Sequence, residues 1–399
     1  MGNSNQEENN ENLSTITPEE LVNKLIEDAA NLRASDIHID PFESEFKVRF
    51  RVDGVLNEIS KYPMESFEMV ARRFKVLGEI DISDNRKPQD GRGQFASTTT
   101  GKMLEFRISS IPTIFGEAIV IRFIDQSKVI FESFEAMGMD PADAEMLKFM
   151  ITRPSGMILI AGPAGSGKTA TLYTALNQIR SPHKNIITLE DPVEFHLEYI
   201  RHCQIRPAVG FTFAEGMKAV LRQDPDVIFI GEIRDHETAE IAVRAALSGR
   251  FVFSDISTSD TIGTITRFIE LGIPRSFLAS SLLLATSKRL LRKNCAHCSE
   301  PYTPSEKFLA EAGITSAKEV NFRKGKGCDL CENKGYLERT AIFEFLVVTK
   351  EIANLITEGA TVQELLDVAR QQGMKTLRES AVNLAKKGEI TLEDAVYLT

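Results

Sequence analysis

The run Gly162-Pro163-Ala164-Gly165-Ser166-Gly167-Lys168-Thr169-Ala170 has the G-x4-G-K-T spacing of a phosphate-binding loop. Its glycines let the backbone curl so that N–H groups point at a β-phosphate, at the positive end of the helix that follows. Lys168 is placed to span the β- and γ-phosphates, and Thr169 to ligate Mg²⁺. The apolar stretch MILIAG precedes the loop, and Leu172, Leu176 and Ile179 fall on one helical face after it. A glycine-rich turn that binds nothing is the bland alternative, and that context weighs against it. Phosphate binding follows; what the nucleotide is used for does not.

Hydrolysis needs a carboxylate for the metal shell and another to orient water. In RQDPDVIFIGEIRD a short apolar strand ends at Glu232. Ligands of parallel sheets gather at the carboxyl ends of strands, so Glu232 is the metal-side candidate, and Asp226, at the other end, is not. NIITLEDPVE supplies Glu190, Asp191 and Glu194. Glu190, directly after the apolar run, is the candidate for polarising water; a helix cap or solvated turn is the alternative. Arginines that neutralise phosphate charge have candidates at 49, 51, 72, 73, 86, 92, 107 and 122, and spacing does not choose among them. Cys295/Cys298 and Cys328/Cys331 form two CxxC pairs, the pattern of a closed tetrathiolate zinc site. A redox pair is the alternative, without a thioredoxin-like unit around it. His297 and Cys203 read as bystanders.

These groups sit in a chain of 399 residues with 47 Lys and Arg against 57 Asp and Glu, a net charge of −10. An acidic total argues against nucleic acid as a partner. No apolar run approaches the roughly 18 residues of a membrane span, so direct membrane insertion is not expected and the location reads as cytoplasmic. Residues 1–16 are polar and acidic and read as a disordered tail. Residues 17–125 mix a helix at TPEELVNKLIEDAANL, capped by Thr17, with alternating strands such as EFKVRFRVDG and MLEFRISSI, an α+β domain. A linker spans 126–140. From 141 to 294, MILIA, NIITLE, DVIFIGE and FVFSDI alternate with helical stretches, the signature of an α/β parallel sheet. Residues 295–340 form a tetracysteine subdomain, and 341–399 a helical region.

Taken in order, ASDIHIDP, VRFRVDG, KPQDGR, RISSIPTIFGEAIVIRF, GPAGSGKT, NIITLEDPVE and RQDPDVIFIGEIRD, with the two CxxC pairs, resemble the ATPases of type II secretion and type IV pilus assembly. The resemblance implies a homo-hexameric ring, peripheral at the cytoplasmic face of the inner membrane. Each subunit would join a PAS-like N-terminal domain to a RecA-like P-loop ATPase domain. ATP would be hydrolysed with Mg²⁺ to drive an inner-membrane platform protein that adds pilins to a pilus or secretion pseudopilus. It also assigns Glu190 to the acidic box, Glu232 to Walker B, and Arg107 and Arg122 to the γ-phosphate, contacts conditional on domain closure. The cysteine region resembles that of assembly rather than retraction motors. The sequence departs from the pattern at VFSDISTSDT, where Ser257 replaces the usual histidine and Asp255 a threonine. Glu338 stands where a glycine is usual, and Ala170 where a threonine is. Slower hydrolysis than in typical members is therefore expected. Rival readings are a retraction or conjugation-type ATPase and a weakly hydrolysing, nucleotide-gated regulatory subunit.

Overall fold

The computed structural model describes residues 17–52, 55–99, 101, 103–124, 130–163, 165–315 and 320–398. The tail read over 1–16, part of the 126–140 linker and Ala164 of the phosphate loop lie outside these residues. The chain divides into two compact units, 1–126 and 127–399.

In the first unit, helix α1 (Pro18–Asn31) starts at Thr17, whose hydroxyl accepts the Glu20 amide while the Glu20 carboxylate accepts the Thr17 amide. That capping box satisfies two otherwise orphaned groups of the first turn. Leu21, Val22, Leu25, Ile26 and Ala29 recur at helical spacing and are all buried. Six antiparallel strands follow: β1 (Asp36–Pro41), β2 (Glu45–Val52), β3 (Val55–Pro63), β4 (Gln89–Ala96), β5 (Met103–Thr113) and β6 (Gly116–Ile124). They pair in the order β3-β2-β1-β6-β5-β4. Helix α2 (Phe67–Leu77) joins α1 over the buried side chains Phe46, Phe50, Phe74 and Phe106. Lys75 is buried within this unit, its ammonium 3.0 Å from Glu117 and bonded to the Asp84 carbonyl at 2.9 Å.

The second unit opens with α3 (Pro141–Ile151), then β7 (Gly156–Ala161), α4 (Lys168–Ile179), β8 (Ile186–Glu190), β9 (Ile200–Gln204), α5 (Phe213–Val220) and β10 (Val227–Ile230). It continues through α6 (His236–Leu247), β11 (Phe251–Ile256), α7 (Thr261–Glu270), α8 (Arg275–Ser281) and β12 (Leu282–Asn294). Every residue of β7, β8 and β10 is buried, which explains why these strands read as unbroken apolar runs rather than alternating ones. The strands from β12 to β9 run parallel in the order β12-β7-β11-β10-β8-β9.

The sheet does not stop at residue 294. After β13 (Ser299–Pro301), α9 (Glu306–Glu311) and β14 (Arg323–Gly325), the strand β15 (Tyr336–Val347) returns antiparallel beside β12 and closes one edge. The boundary read at 340 therefore falls inside a strand. The last helices, α10 (Lys350–Glu358), α11 (Val362–Gln371), α12 (Leu377–Lys386) and α13 (Leu392–Tyr397), divide between two cores. Ile352, Ile356, Leu365 and Ala369 join the main sheet core, while Leu377, Ala381 and Ala395 close a second one with Leu291, Phe322 and Ile342. Among the described residues no helix is long and apolar enough to cross a membrane.

Candidate active site

The turn from β7 into α4 is built by backbone that side chains resist. Gly162 has φ +145°, and a Cβ there would lie 2.6 Å from the Lys288 carbonyl oxygen and the Ser166 hydroxyl. Gly167, at φ +81°, is the N-cap of α4. This helix has no side-chain cap and no acidic residue in its first turn, so its amides and the positive end of its dipole are left for an anion. The Ser166 hydroxyl is buried without a partner among the described residues. Both features fit a bound phosphate chain. The Lys168 ammonium folds back onto the carbonyls of Gly162 (2.8 Å) and Pro163 (3.3 Å) and stands 3.8 Å from Asp255.

A cavity of about 130 Å³ beside α4 is lined by Thr169, Glu190, Glu194, Glu232, Arg234 and Asp255, among others. The carboxyl ends of β8, β10 and β11 thus converge on the first turn of α4. Glu232 accepts from Ser257 at 2.8 Å and from Arg234 at 2.6 Å. Burial pushes the Glu232 carboxyl upward, but those two donors and the Arg234 charge outweigh it and hold it below the ordinary range. Asp255 behaves oppositely. Burial, reinforced by the charge of Glu232, raises it to about 7 against the pull of Lys168 and Arg234. A hydroxyl residue, Thr169, and a carboxylate, Glu232, lining one cavity supply the oxygen donors that a hard cation takes. Asp226 lies at the amino end of its strand, where it accepts the Asn185 amide at 2.8 Å.

Glu190 is 3% exposed, and both its oxygens are engaged. Oε2 accepts from the Tyr173 hydroxyl at 2.5 Å and Oε1 lies 2.9 Å from Nδ1 of His202. Neither partner stands out in the sequence. Tyr173 falls on the apolar face of α4, where an aromatic reads as core, and His202 lies in the mixed strand IRHCQ. Lys288 was also missed. Its ammonium, 1% exposed, donates to the Gly167 carbonyl (3.0 Å) and the Thr171 hydroxyl (2.9 Å) and lies 5.2 Å from the Phe343 ring centre.

Arg107 and Arg122 belong to the first unit, directly opposite each other on β5 and β6. The register extends the row: Arg92 faces Arg107 on β4, and Asp36 on β1 faces both Arg122 and Arg51. Buried Asp36 accepts from Arg122 Nε at 2.7 Å. One face of that sheet therefore carries a line of guanidinium groups set on rigid strands, a grouping that the separate positions in sequence do not display.

The four thiols of Cys295, Cys298, Cys328 and Cys331 place their sulfurs within 4.8 Å of one another. The separations of 3.9, 3.8 and 3.6 Å match the edge of a tetrahedron of Zn–S bonds, about 3.8 Å. Amides of Gly327 and Gly335 donate to the sulfurs of Cys298 and Cys331, each at 3.3 Å. His297 is exposed and outside this set. Cys203 packs at the edge of the main core, and burial raises its thiol.

Residues 11–397 match the family described as type II/IV secretion system protein. The chain is 41% identical to the type IV pilus assembly ATPase PilB of Myxococcus xanthus, over 94% of this chain and 67% of that protein. It is 38% identical to the type II secretion system protein E of Pseudomonas aeruginosa, over 95% of this chain and 75% of the relative. The chain thus spans about two thirds of the length of the pilus-assembly relatives it matches. Among solved structures, the pilus retraction motor PilT with bound ADP superposes with a TM-score of 0.67 at 27% identity, over 94% of this chain and 96% of that one. The Legionella pneumophila ATPase DotB shares the fold, with a TM-score of 0.69 at 20% identity over 96% of each chain.

Proposed function

The chain belongs to the type II/IV secretion system protein family, and from that premise we propose that it hydrolyses ATP to drive assembly of a type IV pilus or secretion pseudopilus. The observation that carries the catalytic part is the convergence of Thr169, Glu190 and Glu232 on one cavity at the first turn of α4. The loop Gly162–Ala170 and Lys168 hold the phosphates, and Thr169 and Glu232 hold Mg²⁺. Cleavage breaks the bond between the γ-phosphorus and its bridging oxygen and forms one to a water oxygen. Glu190 accepts that water's proton and passes it to the product phosphate. Arg107 and Arg122 are assigned to the charge on the terminal phosphate.

The tetrathiolate supports a closed, structural zinc and, with it, the assembly reading over retraction. The active form is a homo-hexamer working on an inner-membrane platform protein from the cytoplasmic side. Purified chain is expected to cleave ATP in the presence of Mg²⁺, and Glu232→Gln to lower the rate by at least about a hundredfold. Equal near-zero rates in both would favour a nucleotide-gated regulatory subunit. One zinc per chain is expected on metal analysis, and none would favour a retraction motor.

A further inference from the structure

Glu190 sits in a cage. The side chains of Tyr173, Glu190 and His202 are all nine-tenths or more buried, and their polar atoms have defined partners. The Leu197 amide donates to Nε2 of His202 at 3.1 Å, so that nitrogen is the acceptor and the ring proton is on Nδ1. Nδ1 then donates toward Glu190 Oε1, with the Thr188 hydroxyl 3.0 Å away. The Leu197 amide thus fixes which ring nitrogen faces Glu190 as a donor. On the other side, the Tyr173 hydroxyl receives the amides of Glu194 and Phe195, each at 3.3 Å, which sharpens its donation to Oε2. Burial and the Glu190 charge raise the Tyr173 phenol well above its ordinary range, so it stays a donor. Each carboxylate oxygen retains a second lone pair, and Glu190 still lines the cavity.

We propose that Tyr173 and His202 are positioning residues that fix the Glu190 carboxylate as an acceptor aimed into the cavity, and that Tyr173 ties its orientation to the phosphate-binding helix. Tyr173 lies one helical turn beyond Thr169, on the same face of α4. A shift of that helix on taking up phosphate is then carried directly to the base. The loop from Asp191 to Phe195 moves with it, because its amides end on the same hydroxyl. The inference rests on Glu190 being the base.

The test is a cycle in the full chain. Tyr173→Phe, His202→Leu and His202→Asn are each made alone and combined with Glu190→Gln. Single-turnover cleavage of ATP is followed beside the affinity for a fluorescent ATP analogue. Tyr173→Phe and His202→Leu are expected to lower the cleavage rate about tenfold with KM and affinity unchanged. His202→Asn, whose amide can still donate from the Nδ1 position, is expected to recover most of the loss. In the Glu190→Gln background Tyr173→Phe is expected to cost nothing more. An equal loss in both backgrounds, no loss in either, or a fall in affinity that accounts for the rate would overturn the positioning role. Wild-type cleavage by Glu190→Gln alone would instead remove the base assignment, and with it this inference.

Discussion

Lys288 is the sharpest place to test the energetics of the site. Its ammonium is enclosed beneath the phosphate loop, and burial lowers its pKa from 10.5 to about 7. No carboxylate contributes to that shift. The groups packed on it are the carbonyl of Gly167 at the N-cap of α4, the Thr171 hydroxyl, the Met137 sulfur and the Phe343 ring, and Lys168 on α4 turns its own ammonium to Gly162. At about 1.4 kcal/mol per pKa unit, holding the charge there costs on the order of 4–5 kcal/mol. Its two hydrogen bonds to oxygen return about 1–1.5 kcal/mol each. Lys288→Met keeps the volume and the aromatic contact, so the variant is expected to be more stable by about 2 kcal/mol below pH 7. The sign with pH follows from linkage. Between about pH 7 and 10.5 the unfolded chain binds the extra proton, so wild-type stability rises with pH and the advantage of Met shrinks. Scanning calorimetry of the full chain at pH 6 and pH 9.5 should show the variant's second-unit transition higher by about 5 °C at pH 6 and level or lower at pH 9.5. A variant less stable than wild type at pH 6, or a gap independent of pH, would refute the reasoning.

Asp255 stands 3.8 Å from Lys168 and competes with phosphate for it; Asp255→Thr should tighten a fluorescent ATP analogue by about tenfold, and an unchanged titration would clear Asp255 of that role. Glu338 holds φ +66° in the irregular pairing between β12 and β15, a conformation that suits glycine. Glu338→Gly should therefore raise stability by about 1 kcal/mol in urea melts, and a loss would show that the side chain earns its place by a contact. Cys298→Ser should drop bound zinc from one per chain to near zero by elemental analysis and destabilise the second unit by at least about 3 kcal/mol; retention of the metal would point to a different ligand set.

What the sequence makes legible here is local or periodic. The capping box at Thr17 and Glu20, the strands MILIA and NIITLE, and the loop into α4 each declare themselves within a dozen residues. Glu190 and Glu232 are found because both end an apolar run, and strand ends in a parallel sheet share one edge. The groups that complete the site depend on contacts distant in sequence. His202 meets Glu190 only because β9 lies beside β8, and Lys288 reaches Gly167 only because β12 lies beside β7. AIFEFLVV falls in the stretch read as helical from 341, yet most of it lies in β15, and nothing in it tells which sheet receives it after the cysteine region. Arginines at 92, 107 and 122 look like scattered surface charge until the β-ladder sets them in register.

β12 is 13 residues long, about 40 Å at strand rise. Its middle reaches the loop into α4 through Lys288, and Asn294 at its end is followed directly by Cys295 of the thiol cluster. One strand thus runs from the loop into α4 to the thiol cluster, through the irregular pairing at Arg292 and Asn294. Removing metal from the four thiols with a chelator is therefore expected to loosen the end of β12 and weaken phosphate affinity at a distance, measured with the same fluorescent ATP analogue.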